Sequence, residues 1–339
     1  MWKLLSKAEV AGYTHRRAGE TKLGEQLALL RHKNDLEHWV PRLVILGVQE
    51  DIGIRANLGK PGAVEAFPQF MEAFCNVQHN AFLQGNTIGL AGVLTFPEYQ
   101  EEAEQLSPHN ARELAHLYAL TAKVDSAVTD TLRRLVEAGK IPIVIGGGHN
   151  NAYGNICGSA QALGEGLAVL NIDPHADFRA REGRHSGNGF HYAFAEKLLA
   201  RYAVFGMHES YNSEYILEAF RQKDHLAFIS YEDLLAADAE LQMQHFKNVL
   251  HWLGNNPLGL EIDMDSLADF PVSARTPSGF RVDELRRWVA TAAALKAPVY
   301  AHFCEASPGQ ADGPVEQSQI GKTLAYLVTD FIKAHPRYA

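Results

Sequence analysis

The stretch LAVLNIDPHAD, residues 167–177, decides how the chain is interpreted. Its first six residues are almost entirely apolar and predict a strand that is buried on both faces. Its last five include Asp173, His175 and Asp177, three polar groups that are costly to bury without partners. Side chains two residues apart point to the same side of an extended backbone, so we expect these three to converge.

Similar apolar runs predict six more strands, and most are separated by segments with helical periodicity. The runs are 42–48, 141–145, 203–206, 227–229, 258–262 and 298–303, and the clearest helical segments are 111–138, 234–253, 282–295 and 320–334. This alternation predicts an α/β fold with a parallel sheet covered on both faces. We expect residues 1–339 to form a single domain, in which residues 1–38 are a peripheral helical segment.

Bulk composition narrows the possible functions. The chain has 339 residues, 46% of them hydrophobic, and a formal net charge of -9, so it has no electrostatic reason to bind nucleic acid or an anionic membrane. Cys75, Cys157 and Cys304 are few, odd in number and far apart, which predicts buried reduced thiols. Neither a signal peptide nor a membrane span is recognisable, so we expect a soluble cytoplasmic protein.

Two more predicted strands end in polar groups. Gly146, Gly147, Gly148 and His149 follow the strand at 141–145. Asp263 and Asp265 follow the strand at 258–262. Ligands of open parallel sheets bind beyond the carboxyl ends of the strands, where four carboxylates and two imidazoles would therefore meet.

Four ionised carboxylates cannot share one place without cations, because each raises the pKa of the others. Two divalent ions would balance them, and oxygen ligands with some imidazole suit manganese or magnesium. Each piece also has a simpler interpretation: the glycine run as a phosphate-binding loop, and the Asp-x-Asp as a helix cap. The glycine run lacks the Lys and Ser/Thr of a P-loop, and three such pieces at three strand ends favour a metal site.

At these residues the sequence resembles the ureohydrolase superfamily of arginase, agmatinase and formimidoylglutamase. The family pattern is Gly-Gly-x-His, Asp-x-His-x-Asp and Asp-x-Asp in that order, and the resemblance extends over about residues 44–330. It implies the arginase-like three-layer αβα fold with a central, mostly parallel sheet, and a centre of two Mn²⁺ per subunit. One ion would take His149, Asp173, Asp177 and Asp263, and the other Asp173, His175, Asp263 and Asp265.

The resemblance also implies two catalytic groups. Glu305 stands in the Glu-x-x-Pro of the family and would hold the amidine or guanidine group of a substrate, since a carboxylate accepts two parallel N–H bonds. Asp177 would move a proton to the departing amine. For Glu305 taken on its own, the favoured interpretation would be the cap of a strand end.

Three loops resemble the formimidoylglutamase branch: residues 50–63, the third glycine at Gly148, and residues 177–190. That branch hydrolyses N-formimidoyl-L-glutamate to L-glutamate and formamide in histidine degradation. A substrate with two carboxylates needs cations, and arginine binds carboxylates in a bidentate manner. The candidate substrate-binding residues are Arg55, Asn57, Arg179, Arg184, Asn188 and Arg275, with Arg179 and Arg55 preferred.

One departure weakens the arginase interpretation. Arginases have Ser-Gly-Asn-x-His, with a histidine that relays protons, but here Phe190 stands at that place and His191 comes one residue late. A relay and an ordinary packing role both remain open for His191.

Several alternatives remain open at this point. They are an arginase, agmatinase or other guanidino-acid hydrolase, a one-zinc amide hydrolase on the same fold, and a non-enzymatic metal-binding relative. The expected partners are a small amidine or guanidine substrate and further copies of the chain as a homo-oligomer, with no nucleic acid and no membrane.

Overall fold

Ten strands form one sheet within residues 1–338, the part of the chain that the computed structural model describes. In chain order they are β1 (Trp2–Lys3), β2 (Ala28–Leu29), β3 (Leu43–Gln49), β4 (Gly89–Thr95), β5 (Ile141–Ile145), β6 (Leu167–Ile172), β7 (Leu199–Met207), β8 (Leu226–Ser230), β9 (Leu258–Asp263) and β10 (Tyr300–Cys304). Their order across the sheet is β1-β4-β3-β5-β10-β9-β6-β7-β8, with β2 beside β4. Only β1 pairs antiparallel; the other pairs are parallel.

Helices occupy most of the connections between these strands. Within residues 1–338 they are α1 (Lys7–Gly12), α2 (Leu23–Gln26), α3 (Ile52–Ala56), α4 (Ala66–Phe74), α5 (Pro97–Glu104), α6 (Ala111–Glu137), α7 (Asn151–Leu163), α8 (Gly189–Ala195), α9 (Glu214–Gln222), α10 (Tyr231–Leu235), α11 (Ala239–Trp252), α12 (Val282–Lys296) and α13 (Pro314–Ala334). In this part of the chain, no helix is both long enough and apolar enough to cross a membrane.

The sheet separates two apolar cores. Ile143 and Ile145 of β5 point into one core, which also contains Phe70 of α4 and Trp288 of α12. Val144 points into the other core, together with residues of α6 and α7. Alternate side chains of a strand reach opposite faces, so a strand that is apolar throughout serves both cores. This is the predicted three-layer αβα architecture, which is confirmed.

All seven predicted strands are present, but β4 was missed. It reads Gly-Leu-Ala-Gly-Val-Leu-Thr, and two glycines weaken a strand signal because they add no side chain to pack. Gly92 has a φ of 109°, and the pairing of β3 with β4 shifts register between Ile45 and Leu46. The missed strand therefore carries an irregularity that only glycine accommodates easily.

Two other expectations need correction. The helix expected over 234–253 is wrong as a single element, because α10 ends at Leu235 and α11 begins at Ala239. The Asp238 side chain accepts a hydrogen bond from the Leu241 amide, which starts a new helix. Residues 1–38 contain α1 and α2 but also β1 and β2, so the segment contributes to the edge of the sheet as well. Strands of two residues are too short to show periodicity.

Candidate active site

Four neighbouring strands end at one place. Their order in the sheet is β5-β10-β9-β6, and all four are parallel, so their carboxyl ends lie side by side. The site residues that follow them are His149 after β5, Glu305 after β10, Asp263 and Asp265 at the end of β9, and Asp173, His175 and Asp177 after β6. Parallel strands thus bring together groups that are more than a hundred residues apart in the sequence.

His149 lies at the centre of this cluster and is almost fully buried. Its Nδ1 lies 3.1 Å from Asp173 Oδ2, 2.9 Å from Asp177 Oδ2 and 2.9 Å from Asp263 Oδ2. One donor atom from each of these four residues falls within a sphere where all lie less than 4.8 Å from one another. This is the set expected for the first ion.

His175 forms the adjoining part of the cluster. Its Nδ1 lies 3.4 Å from Asp173 Oδ1 and 3.6 Å from Asp265 Oδ2. Asp173 therefore presents Oδ2 to His149 and Oδ1 to His175, so its two oxygens face the two parts of the cluster. Asp263 lies beside Asp265 at the end of the same strand, and its Oδ1 accepts a hydrogen bond from the Asp265 amide.

The donor set fits divalent cations. Atoms that each lie about 2.1 Å from an octahedral ion are about 3 Å apart, close to the separations around His149 Nδ1. In the described part of the chain, His149 Nδ1 and Asp265 Oδ1 are buried and make no hydrogen bond of acceptable geometry. Buried polar atoms rarely lack a hydrogen-bond partner. These two atoms are therefore suited to coordinating a metal ion.

The charges of the cluster support the same conclusion. Burial and the neighbouring Asp173 charge raise the pKa of Asp263 to about 6, and burial and the Asp263 charge raise the pKa of Asp265 well above its usual range. Although burial opposes it, the surrounding carboxylates, Asp173 first, raise the pKa of His175 to about 10. Crowded buried carboxylates of this kind are electrostatically unfavourable without cations, and divalent ions would relieve that repulsion.

Two of the site residues have a strained backbone. Asp177 has a φ of 43° and Glu305 has a φ of 62°, both in the left-handed region that side-chain-bearing residues rarely adopt. Such strain costs on the order of 1–3 kcal/mol and persists only where the surrounding structure enforces it. The fold therefore holds both carboxylates in orientations that an unstrained loop would not provide.

The glycine loop that carries His149 is anchored by a buried carboxylate, Glu50. Its Oε1 accepts hydrogen bonds from the Gly148 amide at 3.1 Å and from the Asn151 side chain at 2.6 Å. Burial raises the pKa of Glu50, against the effect of these bonds. A Cβ at Gly148 would lie 2.6 Å from Asn150 Oδ1, so the third glycine leaves the room that this packing needs.

A cavity of about 530 Å³ opens above the cluster. Its floor includes His175, Asp177, Asp263, Asp265 and Glu305, and its walls include Asn57, Leu58, Arg179, Ser186, Tyr211 and Ser273. Arg179 Nη1 donates a hydrogen bond to Asn57 Oδ1 at 2.7 Å, and Asn57 Nδ2 donates to Ser186 Oγ at 3.1 Å. Arg179 is the cationic side chain that lines this cavity among the described residues.

Comparison with known proteins identifies the family of this chain. A sequence model described as the arginase family matches residues 42–329. The chain belongs to the arginase family. The resemblance inferred from the strand-end motifs is thereby confirmed.

Individual relatives are more distant. The formimidoylglutamase of Streptococcus pyogenes serotype M5 (strain Manfredo) is 26% identical over 229 residues, which are 65% of this chain and 63% of that protein. The match therefore covers less than two thirds of the curated relative's length.

Solved structures share the arginase fold. The formimidoylglutamase of Bacillus subtilis subsp. subtilis str. 168 superposes with a TM-score of 0.74 at 18% identity, over 96% of each chain. The Trypanosoma cruzi formiminoglutamase solved with Mn²⁺ superposes with a TM-score of 0.69 at 20% identity, over 94% of this chain and all of that one. At these identities the likeness establishes the fold alone.

Within this arginase-family fold, two of the candidate substrate-binding residues line the cavity and the others do not. Arg179 and Asn57 are at its wall. Arg55 instead lies on α3, where its Nε donates to Asp51 Oδ1 at 2.9 Å. Arg275 is on the surface and forms an ion pair of 3.0 Å with Glu316. Arg55 and Arg275, which were expected to face the substrate, therefore do not line this cavity, because nearby carboxylates hold both guanidinium groups elsewhere.

Asn188 and Arg184, which were also candidate substrate-binding residues, do not line the cavity either. Asn188 is fully buried, and its Nδ2 donates to the carbonyl oxygens of Ala180 and Gly183. Arg184 is buried against Asp125, with Nε 2.8 Å from Oδ2, and contacts Asn188 Oδ1. Both residues brace the loop that carries Arg179 and Ser186, and all their main polar groups are used in doing so.

His191 has the packing role that was one of its two interpretations. Its ring stacks on Phe178 at a centroid distance of 4.4 Å, and its Nδ1 lies 2.7 Å from the Arg179 carbonyl oxygen. It does not line the cavity. Phe190, which stands where arginases have the relay histidine, packs edge-on against His149 at 5.1 Å.

Tyr211 is one of several side chains in the cavity wall that sequence reasoning missed. Tyr211 stacks on His175 at a centroid distance of 5.5 Å, and its hydroxyl donates to Thr276 Oγ1 at 3.1 Å. It lies in the connection after β7, a strand whose end carries none of the family motifs. The distinctive feature of that segment is aromatic stacking: His208 stacks on Tyr211 and on Tyr231 of α10.

All three cysteines are buried and free, as predicted.

Proposed function

We propose that this protein is a dimanganese formimidoylglutamase, which hydrolyses N-formimidoyl-L-glutamate to L-glutamate and formamide. The observation that carries the proposal is one cavity whose floor holds Glu305 and three carboxylates of the proposed metal ligands, Asp177, Asp263 and Asp265, and whose wall holds Arg179. The floor suits an amidine carbon and its cationic nitrogens. The wall suits a carboxylate at the other end of the substrate.

His149, Asp173, Asp177 and Asp263 would hold one Mn²⁺, and Asp173, His175, Asp263 and Asp265 the other. Carboxylate and imidazole donors are the ligands that manganese accepts readily. Bound there, such an ion pair supplies a water whose pKa is lowered toward 7 and so a nucleophile at neutral pH.

Glu305 would orient the amidinium group. Its side chain is 5% exposed, and one oxygen, Oε1, already accepts a hydrogen bond from the His149 amide at 2.8 Å. That bond fixes the carboxylate, which keeps its remaining lone pairs for the substrate N–H groups. Binding in one orientation is a positional contribution to catalysis.

Asp177 would carry the proton to the departing amine, which leaves as the amino group of glutamate. It lines the cavity, and burial together with the Asp173 charge raises its pKa above the usual range. A carboxyl group placed at the leaving nitrogen can transfer a proton to it. The C–N bond breaks as water adds to the amidine carbon, and formamide is the second product.

Arg179 would bind a substrate carboxylate, with Asn57 as its support. Asn57 is itself held by Ser186, so the guanidinium group has a defined direction although it is exposed. A fixed arginine loses less conformational entropy when it pairs with a carboxylate.

A substrate panel with manganese-loaded protein tests this function. N-formimidoyl-L-glutamate, L-arginine, agmatine and 4-guanidinobutyrate are compared by release of formamide or urea. We expect formamide from the first compound at a kcat/KM at least 100-fold above any urea release. Faster urea release would instead indicate a guanidine hydrolase. A manganese-loaded sample that is inert with all four would indicate a non-enzymatic relative.

A further inference from the structure

A row of buried polar side chains lies directly beneath the proposed metal ligands. Asn171 of β6, Glu261 of β9 and His302 of β10 are in register with one another, and all three are fully buried. Asn171 and Glu261 each precede a proposed ligand by two residues, so they point to the same side of the sheet as Asp173 and Asp263. Polar groups in the middle of a parallel sheet are costly, and so call for an explanation.

Two side chains of β10 hold the Glu261 carboxylate in place. Its Oε1 accepts a hydrogen bond from the Tyr300 hydroxyl at 2.8 Å, and its Oε2 lies 2.6 Å from His302 Nδ1. His302 Nε2 in turn lies 3.2 Å from the Gly146 carbonyl oxygen, at the start of the glycine loop. A Cβ at Gly259 would lie 2.6 Å from the Tyr300 ring, so a glycine makes room for this arrangement.

The Glu261 oxygen that contacts His302 also faces His149. This atom, Oε2, lies 3.6 Å from His149 Nε2, while His149 Nδ1 faces the carboxylates of Asp173, Asp177 and Asp263. Among the described side chains, Nε2 makes no hydrogen bond. A shift of about 0.5 Å by the imidazole would bring the two atoms to hydrogen-bond distance.

A ligating imidazole needs one nitrogen free and a proton on the other, and the partner of that second nitrogen decides which is which. We infer that Glu261 is a positioning residue for His149, whose Nε2 proton it accepts so that Nδ1 is directed to the first ion. This inference rests on the proposed metal centre. Cys304 also lies near His149, but a thiol is a weaker acceptor than a carboxylate.

Asn171 supports this interpretation of the row. Its Nδ2 donates to Asp173 Oδ2 at 2.9 Å and contacts the Tyr202 hydroxyl at 3.1 Å. Two members of the row therefore each face a different proposed ligand of the same ion. An outer layer that orients ligands in this way is a general feature of metal sites.

Glu261→Gln tests the inference with little change of shape. The amide can still accept from Tyr300, but it then turns an N–H group toward His149 Nε2. His149 must either leave that N–H group unpaired or move its own proton to Nδ1, the atom needed by the ion. We expect one of the two Mn²⁺ equivalents to bind 10- to 100-fold more weakly, in the usual range for loss of an outer-layer group.

The measurement is equilibrium dialysis of the full-length protein against chelator-buffered Mn²⁺, with the melting temperature of the metal-free protein recorded beside it. Glu316→Gln, a matched change outside the cavity, should bind both ions as the parent does. A folded Glu261→Gln protein with both Mn²⁺ affinities within twofold of the parent would overturn the inference, even if its melting temperature fell.

Should Glu261→Gln fail to fold, Tyr300→Phe removes one support and retains the carboxylate. We then expect several-fold weaker binding of one ion, and unchanged affinity there would count against the inference. A parent protein that binds Mn²⁺ but hydrolyses nothing leaves the inference standing and contradicts only the proposed reaction. A parent that binds no Mn²⁺ overturns the metal centre and the inference with it.

Discussion

Glu305 Oε1 accepts a hydrogen bond of 2.8 Å from the backbone amide of His149. The residue proposed to hold the substrate is thereby tied to the loop that carries a proposed metal ligand, although 156 positions separate them. A shift of the glycine loop would move both groups together. The proposed substrate-binding carboxylate and the loop of a proposed metal ligand are thus joined by a direct hydrogen bond.

Glu305→Gln should impair catalysis and leave metal binding intact. The amide oxygen can still accept from the His149 amide, but the charge that pairs with an amidinium is lost. Losing a charge-assisted hydrogen bond costs about 1.5–3 kcal/mol, which corresponds to roughly a 10- to 150-fold fall in kcat/KM. Steady-state kinetics and Mn²⁺ content are measured together, with Glu316→Gln as the control. Loss of both ions from Glu305→Gln would contradict the assigned role.

Arg179→Ala should raise KM for a dicarboxylate substrate by about 10- to 100-fold, because a bidentate ion pair of roughly 1.5–3 kcal/mol is lost. Arg275→Ala is the matched control, since that guanidinium is paired with Glu316 outside the cavity. Michaelis–Menten kinetics of both variants provide the test. Equal KM values for Arg179→Ala and the parent would remove Arg179 from the site.

Removal of Mn²⁺ should lower stability as well as activity. Without cations, four carboxylates share a buried cluster, and they can be neutralised only by protons and the two histidines. At a free Mn²⁺ concentration 100-fold above the dissociation constant, one bound ion stabilises the folded state by about 2.7 kcal/mol. Melting temperatures in Mn²⁺ and in excess chelator are compared at pH 7.5. Identical values would argue that the cluster binds no Mn²⁺.

Gly148→Ala should destabilise the protein by about 1–3 kcal/mol, the usual cost of forcing an extra methyl group into a packed site. The new Cβ would lie 2.6 Å from Asn150 Oδ1 and 2.8 Å from Ile54 Cγ1. Displacement of the loop should also weaken Mn²⁺ binding by His149. Gly12→Ala is the control, because a Cβ there meets nothing within 4 Å. Urea unfolding of both variants measures the difference, and equal midpoints would contradict the packing role.

The cluster of proposed metal ligands could be predicted because its residues stand at strand ends. An apolar strand that ends in Asp173 can be recognised locally, and parallel strands necessarily bring their carboxyl ends to one edge. The second layer could not be recognised in the same way. In the sequence, Glu261 and His302 are polar residues that interrupt apolar strands. Only the strand register shows that they lie side by side.

The sequence by itself determined the α/β architecture, seven of the ten strands that the structure describes and the six proposed ligands, because short-range patterns of apolar and polar residues encode them. Only the tertiary structure decided which loop residues reach the cavity. Arg179 and Asn57 line it, whereas Arg55 is held by Asp51 and Asn188 by backbone carbonyl groups. The direction of a long side chain on a loop depends on partners from distant parts of the chain, and no local pattern records them.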